Sequence, residues 1–319
     1  MSVLVFLESA DSQIKKSAIE ALVYGRNIIA QSGGTLFAIV IGEVSNLSSA
    51  AAHGADKVLH ITDPRFAQPD AQAYAEAFAD AANQNGINTI VLAKSSLTDS
   101  LTARLSSLTK STAATNVVSL PDFSKGFEVK RSIFTGKAFE WVKLTADKKV
   151  ISIKKNAVEP SEEPAAGELI PFSPSLSSKA FSIQTISSEK ATGEVLLSDA
   201  EIVVSGGRGL KGPENWGLIT EMAKVLGAAT GCSKPVSDLH WRPHHEHVGQ
   251  TGIKVSPNLY FAIGISGAIQ HVAGISSSKV IVAINKDADA PIFKAATYGI
   301  VGDAFEIIPK LTQALKAAQ

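Results

Sequence analysis

Along the first third of the chain, short unbroken apolar runs alternate with stretches in which apolar positions recur every three or four residues. Residues 3–7 form the first run, the pattern of a strand covered on both faces. Ala10-Asp11-Ser12 then offers a helix N-cap, and Ile14, Ala18, Ile19, Leu22 and Val23 recur at helical spacing toward Ala30. Gly33-Gly34 stops that helix before a second run at 36–41. A small-residue helix at 46–53 leads to a strand at 57–61. An alanine-rich helix at 71–83 leads to a strand at 89–93, and another helix follows from about 100 to 108. Strands alternating with helices predict an open parallel sheet with right-handed crossovers.

The rhythm then changes. Residues 127–134, 138–145 and 150–154 are closely spaced β-prone segments, separated by Thr135-Gly136-Lys137 and Asp147-Lys148-Lys149. Read as hairpin turns, these predict an antiparallel meander appended to the parallel sheet. Residues 158–178 carry Pro160, Pro164, Pro171 and Pro174, four glutamates and a serine cluster, the clearest boundary in the chain. Leu169, Ile170 and Phe172 are the side chains that would pin this run to a surface. Alternation resumes near Ser188. Strands are predicted at 202–204, 228–232, 259–265, 280–284 and 299–302, with a helix opened by Pro213-Glu214 and a short closing helix at 309–317. The fold class is α/β, with an N-terminal domain at 1–187 and a smaller α/β domain at 188–319.

Composition narrows the function. With 319 residues and 45% apolar content the chain can bury two cores. Lys+Arg and Asp+Glu are equal at 30 each, which gives no electrostatic footprint for nucleic acid. The single cysteine, Cys232, excludes an intramolecular disulfide framework and suits a reducing compartment. The apolar run after Met1 is too short to span a membrane and lacks the flanks of a secretory signal. The expectation is no membrane insertion and a cytoplasmic location, or a mitochondrial matrix form with its transit peptide removed.

Candidate chemistry gathers in the second domain. Gly207, Gly209 and Gly212 match G-x-G-x-x-G between a strand and a helix, a context in which free amides and a helix N-terminus bind phosphate. The acidic residue that an NAD site places on the ribose about twenty positions on is missing, since the next strand ends Thr230-Gly231-Cys232. Arg208 inside the loop, with Lys211 beyond it, suits a diphosphate. In Val248-Gly249-Gln250-Thr251-Gly252 an amide and a hydroxyl lie between glycines that let a planar ligand approach. Ser266-Gly267-Ala268 follows a strand and opens a helix carrying Gln270 and His271. His240, His244, His245, His247 and Glu246 invite a metal, but Pro243 breaks any helical scaffold, and a surface loop is the simpler expectation. No nucleophile–base pair stands out.

The segments 205–211, 248–252, 264–271, 280–287 and 298–303, in that order and spacing, resemble nearly residue for residue the FAD domain of electron transfer flavoprotein alpha subunits. The resemblance covers roughly residues 202–309 and implies a C-terminal Rossmann-like FAD-binding domain. It assigns Arg208 and Ser233 to the FAD site, and runs Val248, Gly249, Gln250 and Thr251 along the isoalloxazine with the Thr251 hydroxyl near N5. Ser266, Gly267, Ala268, Ile269, Gln270 and His271 would bind the diphosphate and ribityl region, with His271 near the N1–C2 edge. Asn285 and Asp303 would hold the adenosine end. Lys234 stands where many members stack an arginine on the flavin, and Thr297 where an aspartate is common. Lys234 and His271 are therefore expected to supply positive charge near N1. The implied function is an electron carrier without its own substrate, half of a heterodimer whose beta subunit packs against the N-terminal domain and binds AMP. The implied partners are acyl-CoA and related dehydrogenases and a membrane electron transfer flavoprotein-quinone oxidoreductase. The alternatives are a nicotinamide-dependent flavoenzyme with its own substrate, and a nucleotide-binding protein without redox chemistry.

Overall fold

A computed structural model of the chain describes residues 1–136, 138–183, 185–186, 196–198 and 200–318. The chain divides into two compact units, Met1–Ser188 and Glu189–Gln319. The expected domain start at residue 188 lies outside the described residues. Among the described residues, no helix is long and apolar enough to cross a membrane.

The first unit begins with β1 (Ser2–Phe6), a two-stranded ladder of β2 (Ser9–Ala10) and β3 (Gln13–Ile14), and α1 (Lys16–Ser32). Asp11 and Ser12 therefore do not cap a helix. Both take positive φ, at 48° and 58°, and make the two-residue turn of a tiny hairpin. Gly33 does end α1, at φ 70°. Then come β4 (Thr35–Ile41), α2 (Ser48–Ala52), β5 (Lys57–Ile61), α3 (Ala71–Gln84), β6 (Thr89–Ala93) and α4 (Ser96–Thr109). Asp70 caps α3, and Ser95 with Thr98 forms a capping box that starts α4 a turn earlier than its apolar periodicity indicates. After these lie β7 (Thr112–Val117), β8 (Glu128–Ile133), β9 (Ala138–Lys143), β10 (Lys149–Ile153) and β11 (Glu168–Pro171).

The described strands join in one nine-stranded mixed sheet, ordered β11-β5-β4-β1-β6-β10-β7-β8-β9. An antiparallel meander exists, but its members are β7, β8 and β9. β10 is instead inserted between β6 and β7, parallel to both, so Asp147-Lys148-Lys149 is no hairpin turn. Lys137 of the other expected turn lies outside the described residues. Side-chain burial explains the placement. Val150 belongs to the core on one face of the sheet and Ile151 and Ile153 to the core on the other, the pattern of an interior parallel strand. β9 exposes Phe139, Glu140 and Trp141 and stays at the edge. The proline-rich run is not a boundary either. Its β11 pairs parallel with β5, and Ile170, Phe172 and Leu176 pack on the α3–α4 core.

The second unit holds β12 (Ile202–Gly206), α5 (Gly217–Leu226), β13 (Ala229–Cys232), α6 (Lys234–Asp238), β14 (Leu259–Ile263), α7 (Ile269–Ile275), β15 (Val280–Asn285), β16 (Tyr298–Val301) and α8 (Ala304–Ala317). Asp303 caps α8, so that helix begins before Pro309, which sits inside it. All five strands are parallel, in the order β13-β12-β14-β15-β16. Val204, Phe261 and Ile284 share one core with α5 and α8, while Val203, Tyr260, Ala262 and Ile281 face the other. In such a doubly wound sheet ligands bind beyond the carboxyl ends of the strands. That edge carries the loops singled out above.

The inserted position of β10 is testable. Ile151→Ala should cost about 2–5 kcal/mol in urea unfolding, as for a cavity in a core. Trp141→Ala on the exposed edge strand should cost about 1 kcal/mol or less. Comparable costs would contradict the strand order.

Candidate functional site

The loop after β12 packs directly on the turn after β14. Gly207 N–H donates to the Ile263 carbonyl at 2.8 Å and Gly209 N–H to the Gly264 carbonyl at 3.0 Å. A Cβ at Gly207 would lie 2.1 Å from the Gly264 oxygen, and one at Gly209 2.8 Å from it. The glycine pattern thus serves close approach of one loop to another, and the Gly207 and Gly209 amides are not free for phosphate. Lys211 also points elsewhere, its Nζ lying 4.8 Å from the centre of the Phe305 ring. Arg208 remains exposed and makes no ion pair among the described residues.

The remaining expected residues are linked along the same edge. Ser233 N–H donates to the Gly206 carbonyl at 3.1 Å, and Val248 N–H to the Cys232 carbonyl at 2.9 Å. Gln250 N–H donates to the Gln270 carbonyl at 2.8 Å, tying the loop of Val248 to Thr251 onto the first turn of α7. There the loop lies so close that a Cβ on Gly274 would come within 2.5 Å of the Gly249 Cα. Among the described residues no backbone group accepts from the amides of Ser266, Gly267, Ala268, Ile269 or Gln270. Asn285 donates through Nδ2 to the Ile265 carbonyl at 2.9 Å, bracing the turn after β14, and its own carbonyl accepts from Gly302 N–H at 3.0 Å. Asp303 accepts from Phe305 N–H at 2.9 Å as a helix cap. Asn285 and Asp303 are thus adjacent, and each has a structural task.

Electrostatics differ from the expectation of two cations. His271 is only 6% exposed, and burial pushes its imidazole down to about 4, against a smaller opposing pull from the Val248 carbonyl. The ring is neutral at neutral pH in this structure. Lys234 Nζ is paired with the Asp238 carboxylate at 2.9 Å. The histidine run is more structured than a surface loop. Glu246 is buried and bonded by Arg242, with Nε to Oε2 at 2.9 Å and a second bond from Nη2 to Oε1. The Arg242 guanidinium lies over Trp216, and His247 is buried, which lowers its pKa. Among the described residues no group of three or more His, Cys, Asp or Glu is placed to hold a metal. The Cys232 thiol is buried and pushed up to about 12, which makes it a poor nucleophile.

Sequence reasoning missed a polar group beneath these loops. Tyr260 of β14 is fully buried, and its hydroxyl lies 3.0 Å from His271 Nε2. The only cue is one tyrosine in the otherwise apolar run Leu259-Tyr260-Phe261-Ala262-Ile263. Among the described residues, buried Ser205 Oγ, His247 Nδ1 and His271 Nδ1 have no partner at full hydrogen-bond geometry, although Ser205 lies near the Tyr260 hydroxyl and the His271 ring near the Val248 carbonyl. Native interiors rarely leave such groups unpaired. The unpaired Arg208 and the run of unbonded amides at Ser266 to Gln270 fit a polar, anionic ligand, and FAD has the required diphosphate.

Two family models match the chain. One described as "Electron transfer flavoprotein domain" covers residues 3–175, and one described as "Electron transfer flavoprotein FAD-binding domain" covers residues 196–276. The second includes Arg208 through His271 and stops short of Asn285 and Asp303. A Bacillus subtilis (strain 168) protein named "Electron transfer flavoprotein subunit alpha" is 37% identical over 318 residues, 98% of this chain and 97% of its own. The mitochondrial subunit alpha of Oryza sativa subsp. indica is 34% identical over 328 residues, 99% of this chain and 90% of its own. A probable mitochondrial subunit alpha of Caenorhabditis elegans is 45% identical over 186 residues, 58% of this chain and 56% of its own.

The buried neutral His271 makes stability pH-dependent. As pH falls below 6.5 the unfolded chain takes up a proton that the folded chain refuses until about pH 4. Stability present above 6.5 should therefore be lost through that window, on the order of 3 kcal/mol from this group. Urea unfolding of the flavin-free chain across the window should show the loss, and His271→Gln should flatten it. An equally steep profile in the variant would mean that other groups carry it.

Proposed function

Because the chain belongs to the electron transfer flavoprotein alpha-subunit family, we propose that it is the FAD-carrying half of a heterodimer relaying electrons from acyl-CoA and related dehydrogenases to a membrane quinone oxidoreductase. As a family member it is an FAD-binding redox carrier rather than an enzyme with a substrate of its own. The beta partner packs on the N-terminal unit and holds AMP. The chief support is the continuous match across both units, joined to loops that meet at the carboxyl edge of one parallel sheet.

Each loop then has a task. Arg208 and the amides of Ser266, Gly267, Ala268, Ile269 and Gln270 meet the diphosphate, the guanidinium by charge and the amides as donors. Val248, Gly249, Gln250 and Thr251 lie along the isoalloxazine, where the exposed Thr251 hydroxyl can hydrogen-bond near N5. Ser233 and Lys234 flank the ring from the end of β13, and Asn285 and Asp303 hold the adenosine end. When bound, FAD accepts and releases the electrons, while these side chains set its affinity and potential.

Two measurements test this. Co-expressed with the beta subunit, the chain should purify as an equimolar complex with one FAD, and alone it should hold FAD poorly. Arg208→Ala in the complex should lose FAD on dilution. Stoichiometric FAD on a stable monomer through gel filtration would refute the shared site. Separately, Thr251→Ala should retain FAD and shift a flavin potential by some tens of millivolts, the equivalent of roughly 0.5–1.5 kcal/mol for one hydrogen bond. Lys234→Gln should lower the first reduction potential. Unchanged potentials in both, with FAD bound, would remove them from the flavin's surroundings.

A further inference from the structure

The Tyr260–His271 contact is used by nothing described so far. Both residues are buried, they come from different elements, β14 and α7, and they meet at 3.0 Å beneath the loop of Val248 to Thr251. Either atom can be the donor in isolation, because a neutral imidazole has one N–H and one acceptor nitrogen. Their surroundings decide between the two. If Nε2 carried the proton and donated to the phenol, the buried tyrosine's own proton would need a further acceptor. Ser205 Oγ, on the adjacent strand, lies near enough to the phenol to interact with it, yet makes no hydrogen bond at full geometry and so does not take up that proton as the side chains stand. The same tautomer would also turn the Nδ1 lone pair toward the Val248 carbonyl, which the ring lies close enough to feel although Nδ1 makes no full hydrogen bond, in a loop that the Gln250 amide ties to the Gln270 carbonyl. The Val248 carbonyl receives no backbone donor among the described residues. With the proton on Nδ1, the phenol donates to Nε2, and Nδ1–H faces an acceptor instead of a lone pair.

We infer that Tyr260 is a positioning residue for the flavin loop: its hydroxyl donates to His271 Nε2, fixes the imidazole as the Nδ1–H tautomer, and turns that N–H toward the Val248 carbonyl. The chain of contacts runs from a core strand to the backbone of the loop. It extends the proposed function above, on which its relevance to the cofactor rests. Burial supports it from both ends, since it holds the phenol above its ordinary value and the imidazole below its own, leaving both neutral at neutral pH. His271 then acts on its surroundings as an oriented neutral donor.

The test uses the full chain co-expressed with its beta subunit and labelled with 15N in its histidine rings, with and without FAD, with His271→Gln to assign the signals. Wild type should carry the His271 proton on Nδ1 alone. In Tyr260→Phe, which keeps the ring's volume, the two nitrogen shifts should move toward each other as the tautomers mix. FAD should stay stoichiometric while its reduction potential moves toward that of His271→Gln. The double variant should move the potential no further than His271→Gln does, because Tyr260 acts only through the histidine. A wild-type proton on Nε2, nitrogen shifts unchanged by Tyr260→Phe, or additive potential shifts would each overturn the assignment. Should Tyr260→Phe fail to fold, the wild-type tautomer still decides. A complex that binds no FAD would defeat the proposed function, while the flavin-free spectrum would still settle the tautomer.

Discussion

Two hydrogen bonds and two absent side chains hold the carboxyl edge of the second sheet together. The Gly207 and Gly209 amides reach the backbone of the β14 turn only because neither position has a Cβ. Gly264, the turn residue they meet, sits at φ 61°. Everything else at that edge is referenced to this seam. Asn285 braces the turn from the far side, the turn aims the unbonded amides of Ser266 to Gln270, and α7 carries the platform on which the loop of Gly249 and Gln250 rests. A methyl group at Gly207 would displace backbone rather than a flexible side-chain tip, so the disturbance would spread along the whole chain of loops.

Burial, rather than the count of cationic residues, sets the field inside the site. A histidine and a lysine near a ring look like two positive charges on paper. In the fold one is desolvated to neutrality and the other is paired with a carboxylate one helical turn away. Arg208 is left as the cation without a counter-ion among the residues assigned to the site. This separates tasks, with net charge at the phosphate end and oriented neutral dipoles under the ring. Neutral donors cost less to bury than ions and hold their direction without a counter-charge.

The periodicity of the chain revealed most of the strands and helices and the two α/β units, because apolar runs and helical spacing record which faces are covered. It misplaces β10 because the strand that precedes it in the chain, β9, is not its neighbour in the sheet. The run Val150-Ile151-Ser152-Ile153, apolar toward both faces, was the available cue for an interior strand. β7 was missed because Thr112-Ala113-Ala114-Thr115-Asn116-Val117 is small and polar and has no distinctive period. At the site, the loops could be located from motifs, but their hydrogen bonds could not. Whether a glycine's amide faces a ligand or a neighbouring strand depends on a partner about fifty residues away. The buried tyrosine could not be found from spacing, since its significance lies wholly in what it touches.

The insertion of β10 has a consequence for the order in which the molecule is made. On a ribosome, β1, β4, β5 and β6 emerge first and can pair, yet β6 then presents an open edge flanked by apolar residues. The strand that closes this edge arrives only after α4 and the β7–β9 meander have been synthesised, and β11 seals the opposite edge later still. The nascent unit thus passes through a stage with two unpaired parallel edges, a template for pairing with another chain. Closure of this kind is non-local, so residues 149–171 complete the sheet only late in synthesis, and pairings of that sort form slowly.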